Sequence, residues 1–238
     1  MPVCDVTIVV PVLDDAAALD ALMRRIRRWD LQPAAIVVSG GAADSGIESV
    51  CREWQCRWLV TQPCRGVQLD DAARAATTAT LWFLHADAAP SANCLAAIVE
   101  ARAQGAQGGY FRFEFTGPRT WQRVVLERLI HLRTHCGGIP YGDQGLWIGR
   151  NAYSQCGGFA REPLFEEVAL VKRLRRQTRF AALEQPIGVA ARRWETDGWW
   201  YRSLANRLLA LSYTLGVPAA NLAARYYPLR LAHRDHNR

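Results

Sequence analysis

The chain has 238 residues, half of them hydrophobic and 21% charged. That fits one domain, or one with a small appendage, and excludes wholesale disorder, collagen and coiled coil. The formal charge is +7, and Lys172 is the sole lysine among 29 Lys and Arg residues; a guanidinium offers a planar fork to phosphate or carboxylate, although a compositional bias of the genome gives the same excess.

The seven cysteines are Cys4, Cys51, Cys56, Cys64, Cys94, Cys136 and Cys156. Their number is odd and no two form CxxC, so the expectation is free thiols in a reducing compartment. The opening MPVCDVTIVVPVL has no basic region before its apolar run and no cleavage site after it. No uncharged apolar stretch reaches 18 residues, the length a membrane span needs. A cytoplasmic location is expected, with the inner membrane face as a peripheral option. The basic residues are dispersed and match no nucleic-acid motif, so no nucleic-acid partner is expected.

Asp5–Leu13 is a β-branched run typical of a buried parallel strand. Ala16–Arg28 repeats apolar residues at Leu19, Leu22, Met23 and Ile26, with arginines on its other side, and predicts an amphipathic helix. Strands follow at Ala34–Val38, Arg57–Thr61 and Leu81–Leu84, with helices at Ile47–Trp54 and Gln68–Ala79. This alternation predicts right-handed βαβ units on a mainly parallel, twisted sheet, an α/β fold with a Rossmann-like nucleotide-binding half. Ligands of such sheets sit beyond the carboxyl ends of the strands. Asp14, Asp15, Ser39, Asp44 and Asp87 all fall at or after such ends and are expected to converge on one crevice. Beyond Gln107, Gly109–Phe115 alternates and predicts a half-exposed strand. Trp121–Leu132 is helical, and Cys136–Gly149 is glycine-rich with GDQG at 142–145. Glu166-Glu167 opens a basic helix within Pro163–Arg176, Phe180–Val189 is a last strand, and Trp199–Tyr227 is an arginine-studded helical tail.

Asp87 follows LWFL and His85. A carboxylate at a strand end suits a divalent cation, Mg²⁺ or Mn²⁺, bridging phosphates; it equally suits the cap of a following helix. Ser39-Gly40-Gly41-Ala42-Ala43-Asp44 lets backbone approach a ligand, yet Asp44 could simply cap the next helix. Glu166 and Glu167 either complement a helix dipole or supply a general base. Arg192-Arg193-Trp194 either grips a diphosphate or forms a surface cation–π pair.

Taken in order, TIVVPVLDD (7–15), VVSGGAADSG (37–46), PCRGVQLDDAARAA (63–76), FLHADAAP (83–90), YGDQGLW (141–147), CGGF (156–159), PLFEEVALVKRLRR (163–176) and ARRWETDG (191–198) resemble the family 2 glycosyltransferases, which have the GT-A fold. More narrowly they resemble the radical-SAM/selenodomain-associated, or arsenosugar-biosynthesis, transferase 2 subgroup. The resemblance implies transfer of a sugar from a nucleotide-diphosphate sugar to a small-molecule or lipid-linked acceptor hydroxyl, with inversion. It places Asp87 at the metal, with Pro11, Asp14, Asp15, Ser39, Gly40, Asp44, Arg65 and His85 around the nucleotide. Glu167, with Glu166, falls at the base position. Gly142, Asp143 and Gln144 fall on the donor-sugar or acceptor side, and Arg192, Arg193 and Trp194 on the diphosphate side.

The chain departs from that pattern. Ser39-Gly40-Gly41-Ala42 replaces Asp-Gly-Gly-Ser, Asp14-Asp15 replaces Asn-Glu, and Glu167 replaces aspartate. Cys64, Val67, Asp70, Asp71 and Ala72 replace Gly, Arg, Asn, Ala and Gly; the two acids are expected to make this loop less welcoming to phosphate. A divergent or inactive nucleotide-binding or partner module is the alternative. The expected organisation is a catalytic domain over 1–198 and a helical tail over 199–238, packed on the domain or lying at a membrane surface.

Overall fold

The computed structural model describes residues 1–226. In the N-terminal half, β1 (Val3–Val12), β2 (Gln32–Gly40), β3 (Arg57–Val60) and β4 (Thr80–Phe83) alternate with α1 (Ala16–Ile26), α2 (Ser45–Glu53) and α3 (Arg65–Ala75). β5 (Ala89–Pro90), α4 (Cys94–Ala103), β6 (Gly108–Phe115), α5 (Trp121–His135), β7 (Trp147–Gly149), α6 (Arg150–Gln155), α7 (Val168–Gln177) and β8 (Phe180–Val189) follow. The short α8 (Arg192–Asp197), α9 (Trp199–Thr214) and α10 (Ala219–Tyr226) close the described chain.

The eight strands form one sheet in the order β3-β2-β1-β4-β7-β6-β8-β5. β1 pairs parallel with β2 and β4, β2 with β3, and β6 with β8; β7 runs antiparallel to β4 and β6, and β5 antiparallel to β8. The apolar run of β1 follows from its place inside the sheet, where both faces are covered: Ile8, Val9 and Val10 are fully buried. One core layer packs Leu19, Leu22, Met23 and Ile26 of α1 and Leu95 and Ile98 of α4 on one face. The other packs Leu69, Phe83, Ile148, Leu170 and Leu174 on the opposite face.

Only residues 84–88 connect β4 to β5, although three strands lie between them in the sheet order. Four strand spacings amount to about 19 Å, and six Cα steps reach at most about 20 Å when fully extended. The link is not extended, because Ala88 N–H closes a turn on the His85 carbonyl at 3.1 Å. The sheet must therefore curl, bringing β8 and β5 round toward the end of β4.

Several expectations are corrected here. β6 is half-exposed only at Arg112 and Glu114; Tyr110 and Phe111 are both buried, on opposite faces. α3 starts three residues earlier than its periodicity suggested, so Cys64–Ala72 is mostly helix rather than loop. Glu166 and Glu167 lie just ahead of the first turn: α7 begins at Val168 with Glu167 as its N-cap, whose side chain makes no capping hydrogen bond, so the pair sits at the positive end of that helix, where the dipole favours a carboxylate. The tail is two helices broken at Gly216, whose φ is +90°. Leu222 of α10 packs on Phe165 and Val168, with Leu209 and Tyr213 of α9 beside them. Tyr227 and the rest of the tail lie outside the described residues.

Candidate active site

The carboxyl ends of β1, β4 and β8, the 141–145 turn and the 164–167 turn enclose a cavity of about 400 Å³. It brings together Asp15, Arg65, His85, Asp87, Gly142, Asp143 and the Glu166-Glu167 pair, with Arg192, Arg193 and Trp194 also in its lining.

The glutamate pair owes its inward aim to the residue before it. Phe165 has φ +61°, a left-handed conformation costly for a bulky side chain. Its ring is held by Tyr141 at 5.9 Å and Tyr213 at 4.8 Å between centroids. The turn so fixed buries both neighbouring glutamates, which are only 2% and 4% exposed. Arg65 Nε lies 2.7 Å from Glu166 Oε1. Gly142 N–H donates to Glu167 Oε1 at 3.0 Å, while Glu167 Oε2 is buried without a hydrogen-bond partner. Burial, then the charge of Glu166, raises the Glu167 carboxyl well above its ordinary value; Arg65 opposes the shift. One oxygen is thus anchored and the other left to accept a proton.

Arg65 also meets His85, its Nη2 facing the imidazole Nε2. Burial, with Arg65 and then Arg193 adding to it, lowers the His85 pKa well below 6.5, so the ring is neutral. The glycine at 142 leaves room for this pair, since a Cβ there would meet the Arg65 guanidinium and press on His85.

Asp87 sits exposed in the His85–Ala88 turn. It does not cap α4, which begins at Cys94 with Asn93 before it. Asp143 lies across from it: burial raises the Asp143 carboxyl, Arg133 and Arg65 oppose, and Asp87 adds repulsion. Two carboxylates that repel across a polar cavity fit one divalent cation, which commonly takes one or two protein carboxylates together with substrate phosphates and water. Among the described residues no three His, Cys, Asp or Glu side chains group closely enough to hold an ion by themselves, so such an ion would be held jointly with a ligand's phosphates.

The remaining expected residues fall elsewhere. Asp15 lines the cavity and also caps α1 through Ala18 N–H. Pro11 lies in a smaller cleft beside it, lined also by Arg65 and Glu167. Asp14 is exposed but off the cavity wall. Asp44 caps α2, accepting from Gly46 and Ile47 N–H. Ser39 is fully buried and its hydroxyl donates to the Gln68 carbonyl at 3.0 Å; Gly40 packs on Trp58. These three do not line the cavity: Asp44 is turned to the start of α2, Ser39 to α3 and Gly40 to Trp58 of β3. Gln144 points into the core, donating to the Phe111 carbonyl. Trp194 lines the cavity while packing edge-to-face against Phe115 at 5.0 Å and donating to Ser203 Oγ. Arg193 donates to Tyr226 Oη at 2.9 Å.

The two acids expected to repel phosphate lie off the cavity wall. Asp70 is buried and engaged by Tyr153 Oη at 2.8 Å, Arg74 at 2.9 Å and Arg161 at 3.3 Å, and Asp71 pairs with Arg161. Sequence reasoning missed Tyr141, Phe165, Asn206 and Leu209, which also line the cavity. Asn206 and Leu209 come from α9, where no local motif marks them.

No protein-family model matches the chain, and no curated protein does. Solved structures do. A mannosyltransferase from Pyrobaculum calidifontis, in complex with GDP-Man and Mn²⁺, aligns over 94% of this chain and 69% of its own, at 18% identity and a TM-score of 0.61. Glucosyl-3-phosphoglycerate synthase from Mycobacterium tuberculosis, in complex with Mn²⁺, UDP and glucosyl-3-phosphoglycerate, aligns over 76% and 70%, at 16% identity and a TM-score of 0.57. TarS 1-349 of S. aureus, with UDP-GlcNAc, aligns over 80% of this chain and 58% of its own, at 10% identity and a TM-score of 0.59. The curled, mainly parallel sheet with its flanking helices is the GT-A fold of these glycosyltransferases.

Proposed function

We propose that the protein transfers a sugar from a nucleotide-diphosphate sugar to an acceptor hydroxyl, with inversion at the anomeric carbon. The observation that carries this reading is one cavity, at the strand ends of a GT-A fold, lined by Asp87, Asp143 and the buried Glu166-Glu167 pair. The motif run from TIVVPVLDD to ARRWETDG supports a place beside family 2, in the radical-SAM/selenodomain-associated subgroup.

In this reading Glu167 Oε2 takes the acceptor hydroxyl proton as the acceptor oxygen bonds to the anomeric carbon and the bond from that carbon to the diphosphate oxygen breaks. Gly142 N–H fixes the other carboxylate oxygen so that Oε2 keeps its aim. Arg65 balances the charge of Glu166 and holds the neutral His85 ring in place. Asp87, with Asp143, would hold Mg²⁺ or Mn²⁺ against the diphosphate. The cation would supply charge neutralisation for the departing nucleotide. Arg192 and Arg193 add fixed positive charge to the cavity lining.

The test is a panel of nucleotide sugars with Mg²⁺ or Mn²⁺, read by nucleotide release and product mass. Asp87→Ala and Glu167→Gln should each lower turnover by at least about 100-fold without any loss of thermal stability. Unchanged turnover in both variants removes the assigned roles. The alternative, a nucleotide-binding module without turnover, draws on Ser39, where the expected carboxylate is missing. Calorimetry with UDP and GDP separates the two: binding with no turnover of any donor favours the module.

A further inference from the structure

The outer faces of α5 and α9 carry an apolar surface that nothing in the described chain covers. On α9, Trp200, Leu204, Leu208, Leu211 and Leu215 recur at the spacing of one helical stripe and are 49–77% exposed, with Tyr201 beside them at 70%. On α5, Trp121, Leu129 and Leu132 form a second exposed stripe. The stripes meet where Trp121 packs against Trp200, their rings tilted at 5.8 Å between centroids. A continuous apolar patch of this extent marks a contact surface.

Its charge states what kind. From Gly198 to Tyr226 the chain contains no acid and three arginines, Arg202, Arg207 and Arg225. Arg202 turns inward to Asp197 and Tyr226, leaving Arg207 and Arg225 exposed, with Arg128 exposed on α5. The one acid of α5, Glu127, is turned in to accept from Phe115 N–H. The exposed charges on these helices are thus cationic, and aromatic rings cluster at one end, the composition of a helix lying in a lipid interface. A second copy of the chain would bring the same arginines toward one another across a two-fold axis, whereas an anionic bilayer matches both the leucines and the cations. No described helix is long and apolar enough to cross a membrane.

We propose that the α5–α9 face docks the protein on an anionic lipid surface, with α9 lying along the headgroup plane. The opposite side of α9 places Asn206 and Leu209 in the wall of the catalytic cavity. For the transferase reading above, on which this consequence rests, the cavity then stands one helix diameter, about 10–12 Å, from the lipid headgroups, and the acceptor is an amphiphile whose hydroxyl is offered from that surface.

Co-sedimentation of the full chain with phosphatidylcholine vesicles, with and without phosphatidylglycerol, tests the docking independently of any sugar transfer. The wild type should pellet with the anionic vesicles, less so as salt rises, and stay in solution with phosphatidylcholine alone. Leu204→Glu/Leu208→Glu/Leu211→Glu should lose at least tenfold in partitioning while keeping the wild-type thermal melt, because all three side chains are exposed. A wild type that does not pellet, a triple variant that pellets equally, or a wild-type dimer abolished by the same three changes would each overturn the proposal. Turnover retained in solution with no vesicle binding would sink the docking and leave the transferase intact.

Discussion

Glu167 can take a proton only as a carboxylate, and its surroundings work against that form. Burial and the neighbouring Glu166 hold its pKa above the ordinary 4.5, with Arg65 pulling the other way. Turnover should therefore climb with pH along an acid limb lying above the usual glutamate range. Glu166→Gln removes the like charge and should move that limb to lower pH, which a pH–kcat profile of the two proteins would read. The same shift sets a stability trend. A carboxyl with a raised folded pKa contributes stability that is present below 4.5 and lost as pH climbs toward the folded value. Glu167→Gln, neutral at every pH, should gain thermal stability over the wild type at neutral pH and little below 4.5, even as it loses turnover. Asp87 was legible as a candidate from the sequence because a carboxylate ending a buried apolar run has few places to go. The role of Phe165 was not legible, since its left-handed conformation is imposed by the Tyr141 and Tyr213 rings, residues far from it in the chain.

At the scale of elements, α3 and α6 are joined through one buried carboxylate. Asp70 accepts from Tyr153 of α6 and pairs with Arg74 and Arg161. Asp70→Ala leaves the Tyr153 hydroxyl with only the Phe159 N–H that donates to it and should cost about 1–3 kcal/mol. At roughly 2–4 °C per kcal/mol for a chain of this size, the melting temperature should fall by several degrees. Because Asp70 lies off the cavity wall, nucleotide affinity by calorimetry should be unchanged; a large loss of affinity would show that this network reaches the site. The strands of the parallel half were readable because strands covered on both faces form continuous apolar runs. β7 was hidden: three residues inside a glycine-rich passage carry no period, and only their partners on β4 and β6 make them a strand. α4 was expected only as a helix somewhere after Asp87, without bounds, for a related reason. Its alanines populate both sides, so burial of Leu95, Ile98 and Ala101 is not written as a stripe.

Across the whole molecule, the thiols give a pH signature of their own. All seven cysteines are free, and burial pushes Cys51 and Cys94 up to about 11 and Cys56 up to about 12. The unfolded chain, with thiols near 9.0, sheds these protons first, so stability present at neutral pH should fall as pH rises past 9.0. Urea midpoints measured under reducing conditions on either side of that value would check it, and a flat profile would show that the thiols reach water. The expectation of reduced thiols needed only an odd count and the absence of CxxC. The share of the cavity wall contributed by α9 needed the tertiary packing of Leu222 and Tyr213, which no local pattern encodes. The short link from β4 to β5 carries one more consequence. Its turn hangs Asp87 on the short stretch of backbone that runs from β4 to β5, the partner of β8, like a gauge mounted on a drawbridge. A change in the distance between β4 and β5 would pull on the backbone of that carboxylate, so if Asp87 holds the ion as proposed, affinity for a divalent ion should report how tightly the sheet is curled.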